Sequence, residues 1–167
     1  MDSAQLRLDV DERAYAETLE SQVEGIVAAT SSALRGFANP PGRKVLVLLA
    51  GGWPYDPVQY AVNDSRRTVL ESQMKRGDQL LAPLTGTANQ LGYTIYSVDV
   101  PGLTEESTSS AEFAAATEFG DRNALFQREN NVQVSLQYLA SETGGKALIN
   151  SAREDVLARV TGDTRSY

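Results

Sequence analysis

Between Pro40-Pro41-Gly42 and Gly51-Gly52 lies Lys44-Val45-Leu46-Val47-Leu48-Leu49-Ala50, an unbroken apolar run too short for a helix and closed on both sides by residues that interrupt regular structure. Its branched side chains favour a strand. A run of this kind, without polar alternation, is the pattern of a strand buried on both faces. Such strands belong to parallel sheets sandwiched between helix layers. The fold class expected of the whole chain is therefore α/β, with a three-layer, mostly parallel sheet.

The remaining segments fit that expectation. From Asp11, the residues Tyr15, Leu19, Val23, Ile26, Val27, Thr30, Leu34 and Phe37 recur at steps of three and four, which places one stripe on a long helix. Asp11 reads as its N-cap and Asn39-Pro40 as its stop. Residues 4 to 10 alternate Leu6, Leu8 and Val10 and read either as an extra strand or as a lead-in to the helix. Residues 53 to 63 form a proline- and aromatic-rich loop. Helical composition follows from Asp64 to about Lys75, is interrupted at Gly77, and resumes from about Asp78 to Gln90, with Gly92 as its stop. Tyr93 to Val100 is the second strand. Residues 103 to 121 are Ser/Thr/Glu-rich and read as a long, mobile surface excursion. A helix over Asn123 to Thr143, a short strand at Ala147-Leu148-Ile149 and a helix from Ser151 to about Thr161 complete a single domain over residues 1–167.

Charge and composition exclude several functions. Twenty-two acidic against fifteen basic side chains give a net charge of −7, which opposes binding to a nucleic-acid backbone. The chain has no cysteine and no histidine, so thiol nucleophiles, disulfides, zinc sites of the usual type and histidine-based triads are unavailable. No stretch approaches the roughly 18 apolar residues of a membrane span, and residues 1–15 lack the order of a signal peptide. No membrane insertion is expected, and the compartment stays open. Asn63-Asp64-Ser65 fits a glycosylation sequon, which has meaning only in a eukaryotic secretory setting.

Several pieces occur in one order: the helix ending in Asn39-Pro40-Pro41-Gly42-Arg43-Lys44, the strand Val45–Leu49, the segment from Ala88 to Asp99, Pro101-Gly102-Leu103, the segment from Leu139 to Ala147, and the closing Asp163-Thr164-Arg165-Ser166-Tyr167. In this order they resemble the von Willebrand factor type A (VWA) domain, in its bacterial VWFA-related branch, over the second half of that domain. The resemblance implies a Rossmann-like, doubly wound sheet that binds proteins through a divalent cation at the C-terminal ends of its strands, where open α/β sheets place ligands. The family's cation loop is D-x-S-x-S, and no aspartate here is followed by serines at those spacings. Where its later Ser/Thr-Asp-Gly motif would fall, this chain reads Ala50-Gly51-Gly52. Without those oxygens a hard cation is not retained. The expectation is a metal-independent module with no cofactor.

Candidate sites follow from both readings. Gly51, Gly52, Trp53, Tyr55, Asp56 and Asp99 fall at the C-terminal ends of the first two strands, where Trp and Tyr would anchor a protein partner. The competing reading is that the aromatics plug the loop, the glycines make a turn, and Asp56 and Asp99 each cap the next turn or helix. A half-domain leaves one edge of the apolar strand open, which makes Val45, Val47 and Leu49 an edge for self-association, as in an isologous homodimer. Alternatively, residues 4 to 10 fold onto that edge, or another chain supplies the missing half. Gly144-Gly145-Lys146 superficially matches a phosphate loop, but it follows a helix and has Ala147 where Ser or Thr is required, so a helix C-cap explains it better. Glu105-Glu106 and the neighbouring serines and threonines read as a docking segment or a solvated loop. The favoured function is a non-enzymatic protein-interaction module. The alternative is a small α/β enzyme or ligand-binding domain that uses Asp56 and Asp99, with Lys44 or Lys146 nearby.

Overall fold

A computed structural model describes residues 3–37, 41–61, 67–100 and 122–164. The expected excursion at 103–121 with its Glu105-Glu106 segment, the Asn63 sequon and the Asn39-Pro40 stop lie outside the described residues. In chain order the elements are α1 (Ser3–Gly36), β1 (Lys44–Ala50), α2 (Pro57–Ala61), α3 (Arg67–Glu71), α4 (Gly77–Gln90), β2 (Tyr93–Asp99), α5 (Arg122–Glu142), β3 (Ala147–Leu148) and α6 (Arg153–Thr164).

The strands form a parallel sheet in the order β1-β2-β3. Lys44 lies opposite Tyr93 and Ala50 opposite Asp99, while Ser97 and Val98 face Ala147 and Leu148. Side chains alternate across the sheet. Tyr93 and Ile95 point to the face covered by Leu80, Leu81, Leu84 and Ala88 of α4 and Leu139 of α5, and α1 adds Val23, Val27 and Leu34 to the same cluster. Tyr96 and Val98 point the other way, where Val156 and Val160 of α6 cover them together with Leu148. The chain steps across the sheet in one direction, so both crossover helices lie on one face, as crossovers of a single hand require.

The burial of the two long strands is the reverse of what their hydropathy implies. All seven residues of β2 are buried, although it carries Thr94, Ser97 and Asp99. The apolar β1 is an edge strand, with Val45 39% and Leu49 64% exposed, so the expectation of a strand buried on both faces is corrected. Position in the sheet decides this, because only the middle strand has a neighbour on each side. Two polar side chains of β2 are accommodated by hydrogen bonds: the Ser97 hydroxyl donates to the carbonyl of Leu136 at 2.7 Å, and Arg43 Nε donates to Thr94 Oγ1 at 3.1 Å. Because β3 is only two residues long, the Ile95 N–H is met by the hydroxyl of Thr143 at 2.9 Å.

α1 also departs from expectation. Residues 4 to 10 are helical rather than a strand, and Asp11 lies inside the helix rather than at its N-cap. Leu6 and Val10 sit one turn apart, and no proline interrupts residues 3–36, so the backbone continues its hydrogen bonding unbroken. The 34-residue helix spans about 50 Å. Its buried stripe is Ala16, Leu19, Val23, Val27, Ser31 and Leu34, whereas Tyr15 and Phe37 are exposed. The Tyr93 hydroxyl donates to the Phe37 carbonyl at 2.7 Å and thereby ties the C-terminal end of α1 to the start of β2.

Ile95 has no solvent exposure and sits where α4, α5 and the sheet meet. Ile95→Ala is expected to cost about 2–5 kcal/mol, read as a lowered midpoint in urea denaturation with an unchanged slope.

Candidate functional site

The chain leaves β1 through Gly51-Gly52 and runs against α5. Gly52 has φ +80°, and a Cβ there would stand 2.5 Å from Val132 Cγ1 and 2.6 Å from the Val132 carbonyl oxygen. Both the backbone angle and the space require glycine. The loop is then fastened to α5 residue by residue. Trp53 N–H donates to Ser135 Oγ at 3.1 Å, and Tyr55 N–H donates to the Asn131 carbonyl at 3.3 Å. Asp56 N–H donates to Asn131 Oδ1 at 3.0 Å, while Asn131 Nδ2 donates to the Asp56 carbonyl at 3.2 Å and to Gln59 Oε1 at 3.1 Å. Asn131 is 5% exposed, so these bonds form away from water, where leaving any one unmade is costly.

Asp56 is the N-cap of α2. Its Oδ1 accepts from the Gln59 N–H at 2.9 Å, and Pro57 occupies the first helical position, where a missing N–H costs nothing. Trp53 and Tyr55 are half-buried and pack against the main core. The Tyr55 ring lies 5.7 Å from that of Tyr138, centroid to centroid, and against Gly77, where a Cβ would collide with it. Arg128 closes the far side: its Nε donates to the Tyr60 carbonyl at 3.2 Å, and its guanidinium lies 5.6 Å from the Tyr60 ring centroid.

Of the six residues expected to form a recognition surface, only Gly51 is exposed, and Gly52, Trp53, Tyr55, Asp56 and Asp99 are partly or fully buried. Asp99 ends β2 opposite Ala50 and is 5% exposed. The two lysines considered beside the aspartates stand elsewhere. Lys44 begins β1, about 20 Å along the strand from its exit, where its Nζ donates to the Leu91 carbonyl at 2.9 Å and lies 5.3 Å from the Tyr93 ring centroid. Lys146 precedes β3 and pairs with Asp163 of α6 at 2.8 Å. Gly144 and Gly145 close α5, with the Gly145 N–H donating to the Ala140 carbonyl at 2.8 Å. Among the described residues, no group of three or more acidic side chains is placed to hold a metal ion, and no helix is long and apolar enough to cross a membrane.

Asn131, the organiser of this loop, is not singled out by the sequence reading. Its only signal there is a poor helix former set within a helical pattern. Val45, Val47 and Leu49 do form one group. In the parallel register, Lys44 N–H donates to the Gly92 carbonyl and Val100 N–H to the Ala50 carbonyl. Residues 44, 46, 48 and 50 therefore bond to β2, and the N–H and C=O groups of Val45, Val47 and Leu49 point out of the sheet edge.

No protein-family model, curated protein or solved structure matches this chain.

Burial raises the phenol pKa values of Tyr55 and Tyr138 above 10.0, with the Asp78 carboxylate adding to the effect at Tyr55 and that of Glu142 at Tyr138. The unfolded chain then loses these protons first, so the stability that they contribute is present below about pH 10 and is lost as pH rises through the folded values. Urea midpoints measured from about pH 9 to about pH 11 are expected to fall, and less so in a Tyr55→Phe, Tyr138→Phe double variant. At the loop, Asp56→Ala is expected to cost about 1 kcal/mol and Asp56→Asn only a few tenths, because either Asp or Asn serves as the cap. An equal loss in both variants by chemical denaturation contradicts the capping role.

Proposed function

We propose that this chain is a non-enzymatic protein-interaction module, resembling the C-terminal half of a VWA domain, that works without a metal and associates with a second copy of itself through β1. One observation carries this reading. A seven-residue, almost wholly apolar strand lies at the edge of the described sheet, with the backbone groups of Val45, Val47 and Leu49 directed outward, the Leu49 side chain largely uncovered and that of Val45 partly so. Natural edge strands are usually short or carry charge or proline, because an apolar edge is a template for pairing. Packing within this chain accounts for Leu46, Leu48 and partly for Val47, which touch the two core clusters, but not for Val45 and Leu49.

A two-fold axis at such an edge makes the two β1 strands antiparallel. The three outward residues fix the register: Val47 meets Val47 of the second copy, and Val45 meets Leu49. The paired sheets form one sheet of six strands, and α6 and its symmetry mate flank the apolar strip. Residues 4 to 10 are helical, which removes the strand expected to close this edge from within the chain.

The VWA reading is supported by the order of strands and helices and by the parallel pairing of β1 with β2. The absence of cation-binding function is supported by Ala50-Gly51-Gly52 at the exit of β1 and by the engagement of Asp56 as a helix cap. The rigid loop from Gly51 to Asp56 offers its exposed backbone at Gly51 as a second contact for a protein partner.

Light scattering over a dilution series is expected to give twice the chain mass of 18.1 kDa, dissociating at low concentration. Leu49→Lys, placed at a solvent-exposed site, is expected to give the monomer with an unchanged circular dichroism spectrum. A monomeric parent at every concentration overturns the pairing. Magnesium or manganese is expected to leave the melting temperature unmoved, whereas a concentration-dependent rise indicates a specific cation site.

A further inference from the structure

A second feature shares no residue with the β1 edge. α1 and α4 run side by side, and between them is a cavity of about 380 Å³ lined by Val27, Ser31, Arg35, Gln79, Leu80 and Pro83, among others. That volume is within the range of small-molecule sites, about 300–1,000 Å³.

One wall carries an unmet hydrogen-bonding group. Ser31 is 5% exposed, lines the cavity, and its Oγ is a buried side-chain oxygen with no hydrogen-bond partner among the described residues. A serine within a helix ordinarily returns its hydroxyl to the carbonyl one turn back, and a buried hydroxyl left unbonded is costly. Arg35 stands one turn further along the same face of α1, which sets the two side chains within reach of a single ligand group. Thr87 orients the guanidinium: its hydroxyl donates to the Pro83 carbonyl at 2.8 Å and accepts from Arg35 Nη2 at 3.3 Å.

The two ends of the cavity differ in charge. At one end Lys75 and Glu24 form an ion pair at 2.5 Å and largely cancel. At the other, the Arg35 guanidinium has five N–H donors, of which one meets the neutral Thr87 hydroxyl. Val27, Leu80 and Pro83 supply an apolar floor between them. A carboxylate suits the Ser31–Arg35 end, accepting from the guanidinium in the paired geometry that arginine favours and from the serine hydroxyl once rotation about χ1 brings it out of its covered position. An apolar tail suits the floor.

We infer that the α1–α4 cavity binds a small organic carboxylate with an apolar body, held by Ser31 and Arg35 at its charged end and by Val27, Leu80 and Pro83 along its tail.

The test is a titration of the ¹⁵N-labelled full chain with octanoate, and separately with octanol, followed by amide chemical shifts. Saturable shifts confined to residues 24–35 and 75–87 are expected with octanoate, with octanol at least about tenfold weaker because it lacks the charge. Arg35→Gln alters an exposed side chain and is expected to weaken octanoate about tenfold or more. Ser31→Ala, which removes the unbonded hydroxyl, is expected to fold normally and also to bind less tightly. Absence of saturable shifts, octanol binding as tight as octanoate, or parental affinity in either variant overturns the inference.

Discussion

The complete burial of β2 is the constraint around which the described structure is arranged. A strand of seven residues with no exposed member needs a partner on both edges and cover on both faces. β1 and β3 supply the edges, α4 and α5 one face and α6 the other. Ile95 and Val98 show the division, since they have no exposure yet belong to different core clusters. Two polar side chains of β2 are tolerable there because neighbouring elements bond to them. Ser97 is met by the backbone of α5, and Thr94 by Arg43 at the entry to β1.

A second junction depends on the first. With α5 fixed over β2, its Asn131 and Ser135 face the loop that leaves β1 and bind its backbone at Trp53, Tyr55 and Asp56. The loop is thereby held to the sheet by side-chain hydrogen bonds rather than by apolar packing alone. Such bonds are directional, and they fix where α2 begins and how the Tyr55 ring meets Tyr138. The residues that suggested a recognition surface are mostly engaged in this internal work. What the domain turns outward instead is the edge of β1, and the proposed role in self-association follows from that geometry.

The groove between α1 and α4 arises from a different circumstance. Two parallel helices meet along Val23, Val27, Leu80 and Leu84. Toward their outer side, small residues of α1 face Gln79 and Pro83 and leave space. The charged side chains at its two ends are not equivalent, and that asymmetry gives the cavity a direction.

Much of the fold was legible in the sequence. The bounds of β1, those of β2 to within one residue, the helices read at about Asp78 to Gln90 and Asn123 to Thr143, and the C-cap at Gly144-Gly145 follow from local signals: apolar runs, helical spacing, and glycine and proline punctuation. These signals act over a few residues, so a sequence carries them directly. Three features were not legible. Residues 4 to 10 suit strand and helix equally, and an uninterrupted backbone decided for the helix. Asn131 bonds to residues more than seventy positions away, and no local pattern marks such a partner. The reversal between β1 and β2 is the most instructive. Hydropathy placed the apolar run inside the sheet, but burial depends on which strand has neighbours on both sides, and that is a property of the order β1-β2-β3. The sequence by itself determined which segments become strands and helices, because their hydrogen bonding and side-chain periodicity are local. Only the tertiary structure decided which strand is central and which apolar edge is left open, because each depends on contacts between segments far apart in the chain.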